Sequence, residues 1–186
     1  MLFRSRRYDP VAARELLTQA GWPTGFDVEL DCLNAPNRVR VCEAIATMLT
    51  QVGIRTELRA WTGVEFFPRL TQGVIRFAEF GYVTTPDAWQ SLNGLLHTWD
   101  GHGAGAFNAG RYSNPQVDKL IEEVRVESDP AARRALVGRA LRLVADDVPY
   151  VPLYRSAVSW AMRRGVHAVP QADDVLTLRW ARIDTR

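Results

Sequence analysis

Phe26-Asp27-Val28-Glu29-Leu30-Asp31-Cys32-Leu33 decides the fold. Apolar Phe26, Val28 and Leu30 alternate with acidic Asp27, Glu29 and Asp31, the period of two of a strand with one covered face. Next, Val41, Ile45, Met48, Leu49 and Val52 recur at helical spacing, which predicts a helix over residues 38–52 stopped by Gly53. Alternation returns over residues 54–61, a short helix follows over 64–71, and residues 74–82 read as a third strand. A βαβαβ run of this kind needs parallel strands with right-handed crossovers. The expected fold class is therefore α/β, a sheet with helices covering it.

Working outward, three helices open with the same device. Asp9-Pro10, Asn114-Pro115 and Asp129-Pro130 each set a side-chain cap before a proline at the first helical position. The first helix runs over residues 11–20 and ends at Gly21. The second carries Val117, Leu120, Ile121 and Val124 on one stripe. The third turns Ala132, Leu136, Val137, Ala140, Leu141 and Val144 inward. Between the first and second of these lies a glycine-rich stretch, residues 101–110, without the GK[ST] or strand context of a nucleotide-binding loop; it reads as a loop with ligand access. After Val148 the prolines of Pro149-Tyr150-Val151-Pro152 impose extended chain, and residues 157–162 and 175–180 read as further strands. From Arg155 onward the apolar residues are too few for a separate core, so this tail must pack on something else.

Ligands of open parallel sheets sit beyond the carboxyl ends of the strands. Here those ends lead into Asn34-Ala35-Pro36-Asn37, Trp61-Thr62-Gly63 and residues 82–87, rich in aromatic and amide groups suited to a small molecule. Trp61 and Tyr82, ending strands, are set to line a cleft or fill the core. Trp89 and Trp99 are expected in the core. Asn34 and Asn37 are expected as helix caps, with contact to solute the alternative role. Arg111 offers a bidentate clamp for a carboxylate or a solvated surface charge.

Other classes are disfavoured. The 23 basic and 21 acidic residues, net +2, give no concentrated nucleic-acid surface. No apolar run reaches the roughly 20 residues of a membrane span, and basic Met1 to Arg7 is not followed by a signal-peptide core. Taken literally, such a chain stays in the cytoplasm, an inference that lapses if it is a fragment. Cys32 and Cys42, the only cysteines, fit no zinc spacing and read as buried small hydrophobes, with a bridge open to them in an oxidising compartment. His97, Asp100 and His102 offer at most a partial metal set, so no metal is expected. No GxSxG, HExxH or Walker lysine is present, no cofactor is implied, and no catalytic residues are assigned.

Four motifs in order resemble one family over nearly the whole chain. Tyr8-Asp9-Pro10 with Ala13, Leu16-Leu17, Ala20-Gly21-Trp22-Pro23 and Gly25-Phe26 opens the series; Glu43-Ala44-Ile45, Leu49 and Val52-Gly53-Ile54 continue it. Arg111-Tyr112-Ser113-Asn114-Pro115 with Val117-Asp118 and Leu120-Ile121, then Pro149-Tyr150-Val151-Pro152-Leu153-Tyr154, complete it. This pattern resembles the peptide/nickel-binding family 5 of extracytoplasmic solute-binding proteins. The resemblance implies a type II periplasmic-binding-protein fold, with residues 1–154 as the second lobe and 155–186 crossing the hinge to the first lobe, most of which this chain lacks. It implies a small solute and an ABC permease as partners, hinge closure on the solute, an extracytoplasmic location, and a monomer when complete.

One departure from the family concerns the solute. Peptide-binding relatives carry a W..DY.(D/E)P loop whose aspartate holds the peptide's α-ammonium. Here Tyr82 stands for the tryptophan and Thr84 or Thr85 for that aspartate, while Asp87 matches only the later acid. A neutral hydroxyl cannot replace a charge-assisted contact about twice as strong, so a solute without a primary α-amine is expected. The ligand-binding set is thus Asn34, Trp61, Tyr82, Thr84, Thr85, Asp87 and Arg111. Two other functions compete: an α/β enzyme using the same loops, with Asp87 and Glu65 as its nearest titratable groups, and a truncated lobe that binds nothing and dimerises through its tail.

Overall fold

Asp27–Leu33 (β1) occupies the middle of a three-stranded parallel sheet of order β2-β1-β3, where β2 is Arg55–Trp61 and β3 is Ala78–Glu79. The computed structural model describes residues 7–83, 87–157, 159–169, 171 and 175–184. It separates into two compact units, one of Met1–Gly81 with Trp99–Tyr112, the other of Tyr82–Thr98 with Ser113–Arg186.

In the first unit, β1 and β2 pair in register from Asp27 opposite Arg55 to Leu33 opposite Trp61. Helix α2 (Pro36–Gln51) returns the chain from β1 to β2, and α3 (Gly63–Thr71) returns it from β2 to β3, as parallel strands require. Leu30 and Cys32 on one sheet face are buried with Cys42 of α2, and Ile45 and Leu58 close over them. On the other face Phe66 and Leu70 of α3, with Ile75 and Ala109, form a second core that Leu33, Trp61, Ala78, Phe80 and Phe107 flank. Helices do not cover this second face fully. Asp27, Glu29, Arg55 and Glu57 stay exposed there, with Arg59 half-buried, as ion pairs, Arg55–Asp27 at 2.6 Å and Arg59–Glu29 at 2.6 Å. Where β1 and β2 begin, backbones crowd: a Cβ on Gly25 (φ +75) would collide with the Gly53 carbonyl. Helix α1 (Pro10–Gln19), capped by Asp9 through the Val11 and Ala12 N–H groups, buries no residue; Arg14 ties it to the Gln51 carbonyl at 2.8 Å.

The second unit is a helical layer. Helices α4 (Ala88–Leu96), α5 (Pro115–Val126) and α6 (Pro130–Asp147) pack in sequence order. The α5 stripe of Val117, Leu120, Ile121 and Val124 is buried as its spacing predicts, and Asn114 and Asp129 cap as expected. In α6 only Ala140 and Val144 are buried; Ala132, Leu136, Val137 and Leu141 are half-buried.

Several expectations are corrected. Cys32 and Cys42 are bonded to each other, Cα atoms 6.7 Å apart, because the strand and the helix that covers it bring them face to face. The third strand shrinks from residues 74–82 to Ala78–Glu79, since it finds partners only at Asp31 and Cys32. Met48 is 55% exposed, turned off the covered face. No strand forms among the described residues of 157–162 or 175–180. The tail instead makes a two-residue ribbon, β4 (Val166–His167) against β5 (Arg182–Ile183), and a 3-10 turn at Leu178–Trp180. β-propensity is expressed only where a neighbouring strand completes the hydrogen bonds. Leu178, Ile183 and Val169 are left exposed. In the extended segment after α6, Pro149 and Tyr150 are half-buried, and burial pushes the Tyr150 phenol up to about 12.

Helix α6 ends on Val148 in the left-handed conformation, φ 52, ψ 49. A β-branched residue there carries about 1–2 kcal/mol of strain that glycine avoids. Val148→Gly is expected to raise the melting temperature by about 2–6 °C, read by differential scanning calorimetry.

Candidate functional site

The carboxyl edge of the sheet is built by three short junctions. Leu33 pairs with Trp61, and the next residue, Asn34, donates its N–H to the Trp61 carbonyl at 2.7 Å, so the sequence-predicted residues Asn34 and Trp61 meet here. Trp61 is half-buried. Its indole N–H donates to Asp31 Oδ1 at 2.6 Å, and the Arg69 guanidinium lies 4.1 Å from its ring centroid. Thr62 opens α3, where the Glu65 carboxylate accepts from the Thr62 hydroxyl and N–H. That hydroxyl bond, more than any charge, holds Glu65 below the usual carboxylate range, as a helix cap and not as a proton-transfer group.

Asn34 and Asn37 do not cap α2. Its cap is Ala35, without a side-chain hydrogen bond, because Pro36 takes the first helical position and leaves both asparagines exposed. Past that start, Arg38 in the first turn donates from Nη1 to both Glu79 oxygens, at 2.9 and 3.1 Å. Glu79 is 96% out of solvent at its side chain, whereas Arg38 keeps 24% exposure. Nη2 and Nε make no hydrogen bond among the described residues, and Nη2 lies against Gly81, where a Cβ would strike it. Glu79 sits beside Cys32 in the sheet, on the face that α2 covers. Sequence reading missed this pair. The available signal was an acid inside the apolar run Phe77-Ala78-Glu79-Phe80, since a buried carboxylate requires a partner.

Arg111 is not brought to this edge. It adopts φ 55, stacks 4.0 Å from the centroid of Trp99, and crowds Gly73, which follows the far end of α3. Trp61 precedes α3, and nine helical residues rise about 13 Å between the two ends. Buried Asn108 forms the turn that holds Arg111, with its amide spanning the Tyr112 N–H and carbonyl. Trp99, expected in the core, is 46% exposed as the platform for Arg111.

In the second unit, Tyr82 is half-buried and Asp87 caps α4. The Asp87 carboxylate accepts the Trp89 N–H at 2.9 Å and Arg133 Nη2 at 2.7 Å. Arg133 also donates to the Val124 carbonyl at 3.0 Å, joining all three helices. Trp89 is half-buried, its Nε1 enclosed without a hydrogen-bond partner among the described residues. Thr84 and Thr85 lie outside the described residues. His97 donates from Nδ1 to the Thr98 carbonyl and lies 3.8 Å from Asp118 and 3.7 Å from Glu122. Asp100 accepts from the His102 and Ala104 N–H groups. These are loop closures, and no metal-ligand group is found among the described residues. Nor is any helix there long and apolar enough to cross a membrane.

Residues 3–103 match the family described as Bacterial extracellular solute-binding proteins, family 5 Middle. The chain belongs to this family. It is 32% identical over 155 residues to the glutathione-binding protein GsiB of Escherichia coli strain K12, covering 78% of this chain and 30% of that protein. Among solved structures, OppA of Haemophilus influenzae in complex with RPPGFSPFR superposes with a TM-score of 0.80 at 20% identity, over 94% of this chain and 34% of that one. The dipeptide-binding protein of Pseudoalteromonas sp. SM9913 in complex with Met-Leu gives 0.76 at 21%, over 95% and 36%. The fold is that of part of a type II periplasmic binding protein, and the chain spans about a third of these relatives' length.

Two variants test this geometry. Glu79→Gln leaves the Arg38 guanidinium half-buried without its counter-charge. The expected loss is about 2–3 kcal/mol, below that of a fully buried pair because Arg38 reaches solvent, and so a fall of about 4–12 °C in melting temperature. For Asp87, the Trp89 N–H and then Arg133 hold the carboxyl below its ordinary 3.8. A depressed folded pKa stabilises above the unfolded value and is lost as pH falls through the folded one. Asp87→Ala is therefore expected to melt about 2–4 °C lower at neutral pH, and the difference to close once pH drops below the carboxylate range.

Proposed function

We propose that this chain is part of the solute-binding component of an ABC importer, taking a small solute at the carboxyl edge of its sheet and delivering it to a membrane permease. Residues 1–154 act as the second of two lobes, and 155–186 run toward the first lobe. The complete protein is an extracytoplasmic monomer without enzymatic activity, and closes around its solute by hinge motion. Family membership supports this reading, as does the tail, whose exposed Leu178 and Ile183 call for a further surface to cover them.

The observation that carries it is Arg38. An arginine pinned on one side by a buried acid, with Nη2 and Nε making no hydrogen bond among the described residues and Nη2 against Gly81 just past β3, is a prepositioned donor group. By sequence position, Tyr82, Thr84, Thr85 and Asp87 are assigned to a further recognition loop. Asp87 is committed to Trp89 and Arg133, and threonines replace the remaining acid. The solute class is accordingly one without a primary α-amine at this point: a blocked peptide, a sugar-like solute or an opine-type molecule.

A thermal-shift screen of the full-length protein tests this. At a ligand concentration 100 times Kd, binding stabilises by about 2.7 kcal/mol, a readily measured rise in melting temperature. A rise with N-acetylated peptides, sugars or opines and none with free dipeptides is expected. Arg38→Gln should abolish the rise. A response to free dipeptides would overturn the solute class, and no response to any class would overturn the binding reading.

A further inference from the structure

We infer that the Cys32–Cys42 bridge is made by a dithiol-oxidising partner before α2 settles on β1, and is then sealed from reductants by the packing it helps to hold. Cys32 and Cys42 are both 0% exposed. One lies in the central strand and the other on the helix covering that strand's inner face, within the cluster of Leu30, Ile45 and Leu58.

Thiol–disulfide exchange requires a third sulfur to approach in line with the bond it attacks. The packed cluster leaves no path for that sulfur, so exchange in either direction needs α2 lifted from the sheet. Maturation then follows a set order. While the chain is open, the thiolate of one cysteine attacks a disulfide of the oxidant and forms a mixed disulfide, releasing one oxidant thiolate. The second cysteine's thiolate attacks the cysteine sulfur of that mixed disulfide and expels the other oxidant thiolate. Two electrons pass to the oxidant's sulfurs, and the two protons leave the cysteines. The required reaction class is oxidation by a disulfide donor. The inference places maturation in an oxidising compartment on grounds independent of family membership, and stands whether or not the solute reading does.

The bridge also bears on the site. Arg38 and Cys42 are four residues apart on α2, hence on the same helix face, so the covalent tie lies one turn from the Arg38–Glu79 pair. It limits how far α2 moves and with it the unspent guanidinium donors.

Thiol counting on the full-length protein, isolated from an oxidising compartment without reductant, decides the matter. With alkylation mapped to the peptides that carry Cys32 and Cys42, neither is expected to react in denaturant, and both are expected to react after reduction in denaturant. Native protein in millimolar dithiothreitol should lose the bridge at least about 100-fold more slowly than denatured protein, the factor set by a local opening of a few kcal/mol. Protein refolded in the reduced state should be oxidised by glutathione disulfide with the same retardation. Alkylation of Cys32 and Cys42 in unreduced, denatured protein would overturn the bridge, and equal rates for native and denatured protein would overturn the seal. Cys32→Ala/Cys42→Ala is expected to melt about 6–12 °C lower, from the entropy of a ten-residue loop. An unchanged melting temperature would remove the staple's structural role.

Discussion

Everything in the first unit depends on β1 having neighbours on both sides. A strand hydrogen-bonded along both edges presents two faces that need covering, and its alternation decides which residues go to each. Leu30 and Cys32 go to the face under α2. Leu33, with Trp61 beside it, goes to the face under α3, while Asp27 and Glu29 remain in solvent paired with arginines of β2. A slip of one residue would send the three acids beneath α2, so the register is held by the cost of burying them unpaired.

Along α2, three unlike interactions follow one another on the buried face. Arg38 meets Glu79 near the helix start, Cys42 bonds to Cys32 one turn on, and Ile45 packs beyond. The apolar contact supplies most of the burial energy and tolerates sliding. The ion pair and the covalent bond fix the helix along its own axis. That division explains how an exposed, uncapped helix start still holds a guanidinium at one position, which a recognition group must have. The pair is neutral as a whole, so it offers hydrogen-bond direction more than field strength.

The second unit uses a single arginine where the first uses a sheet. Arg133 bonds the α4 cap and the α5 carbonyl end from its place on α6, and apolar α5 fills the space among them. Asp87 is consequently a structural cap. Its carboxylate is shared between the Trp89 N–H and Arg133, so it offers no unshared charge.

Much of this was legible in order of sequence. Helix starts at Asp9, Asn114 and Asp129, the α5 stripe and the strand–helix alternation from Phe26 to Trp61 are local properties, set by proline geometry, capping and periodicity within a few residues. Four ordered motifs carried the family. What the sequence alone left open involves partners far apart along the chain. The tail residues 157–162 and 175–180 have strand composition, but no strand forms among their described residues, and Trp99 became a surface platform because Arg111 arrived from a distant turn. Cys32 met Cys42, and Arg38 met Glu79 across forty-one positions, only when the sheet brought β1 and β3 together beneath one helix. Local physics determined which elements form. Tertiary packing alone decided which polar groups they bury together, because the cost of leaving a charge or thiol unpaired arises only once water is excluded.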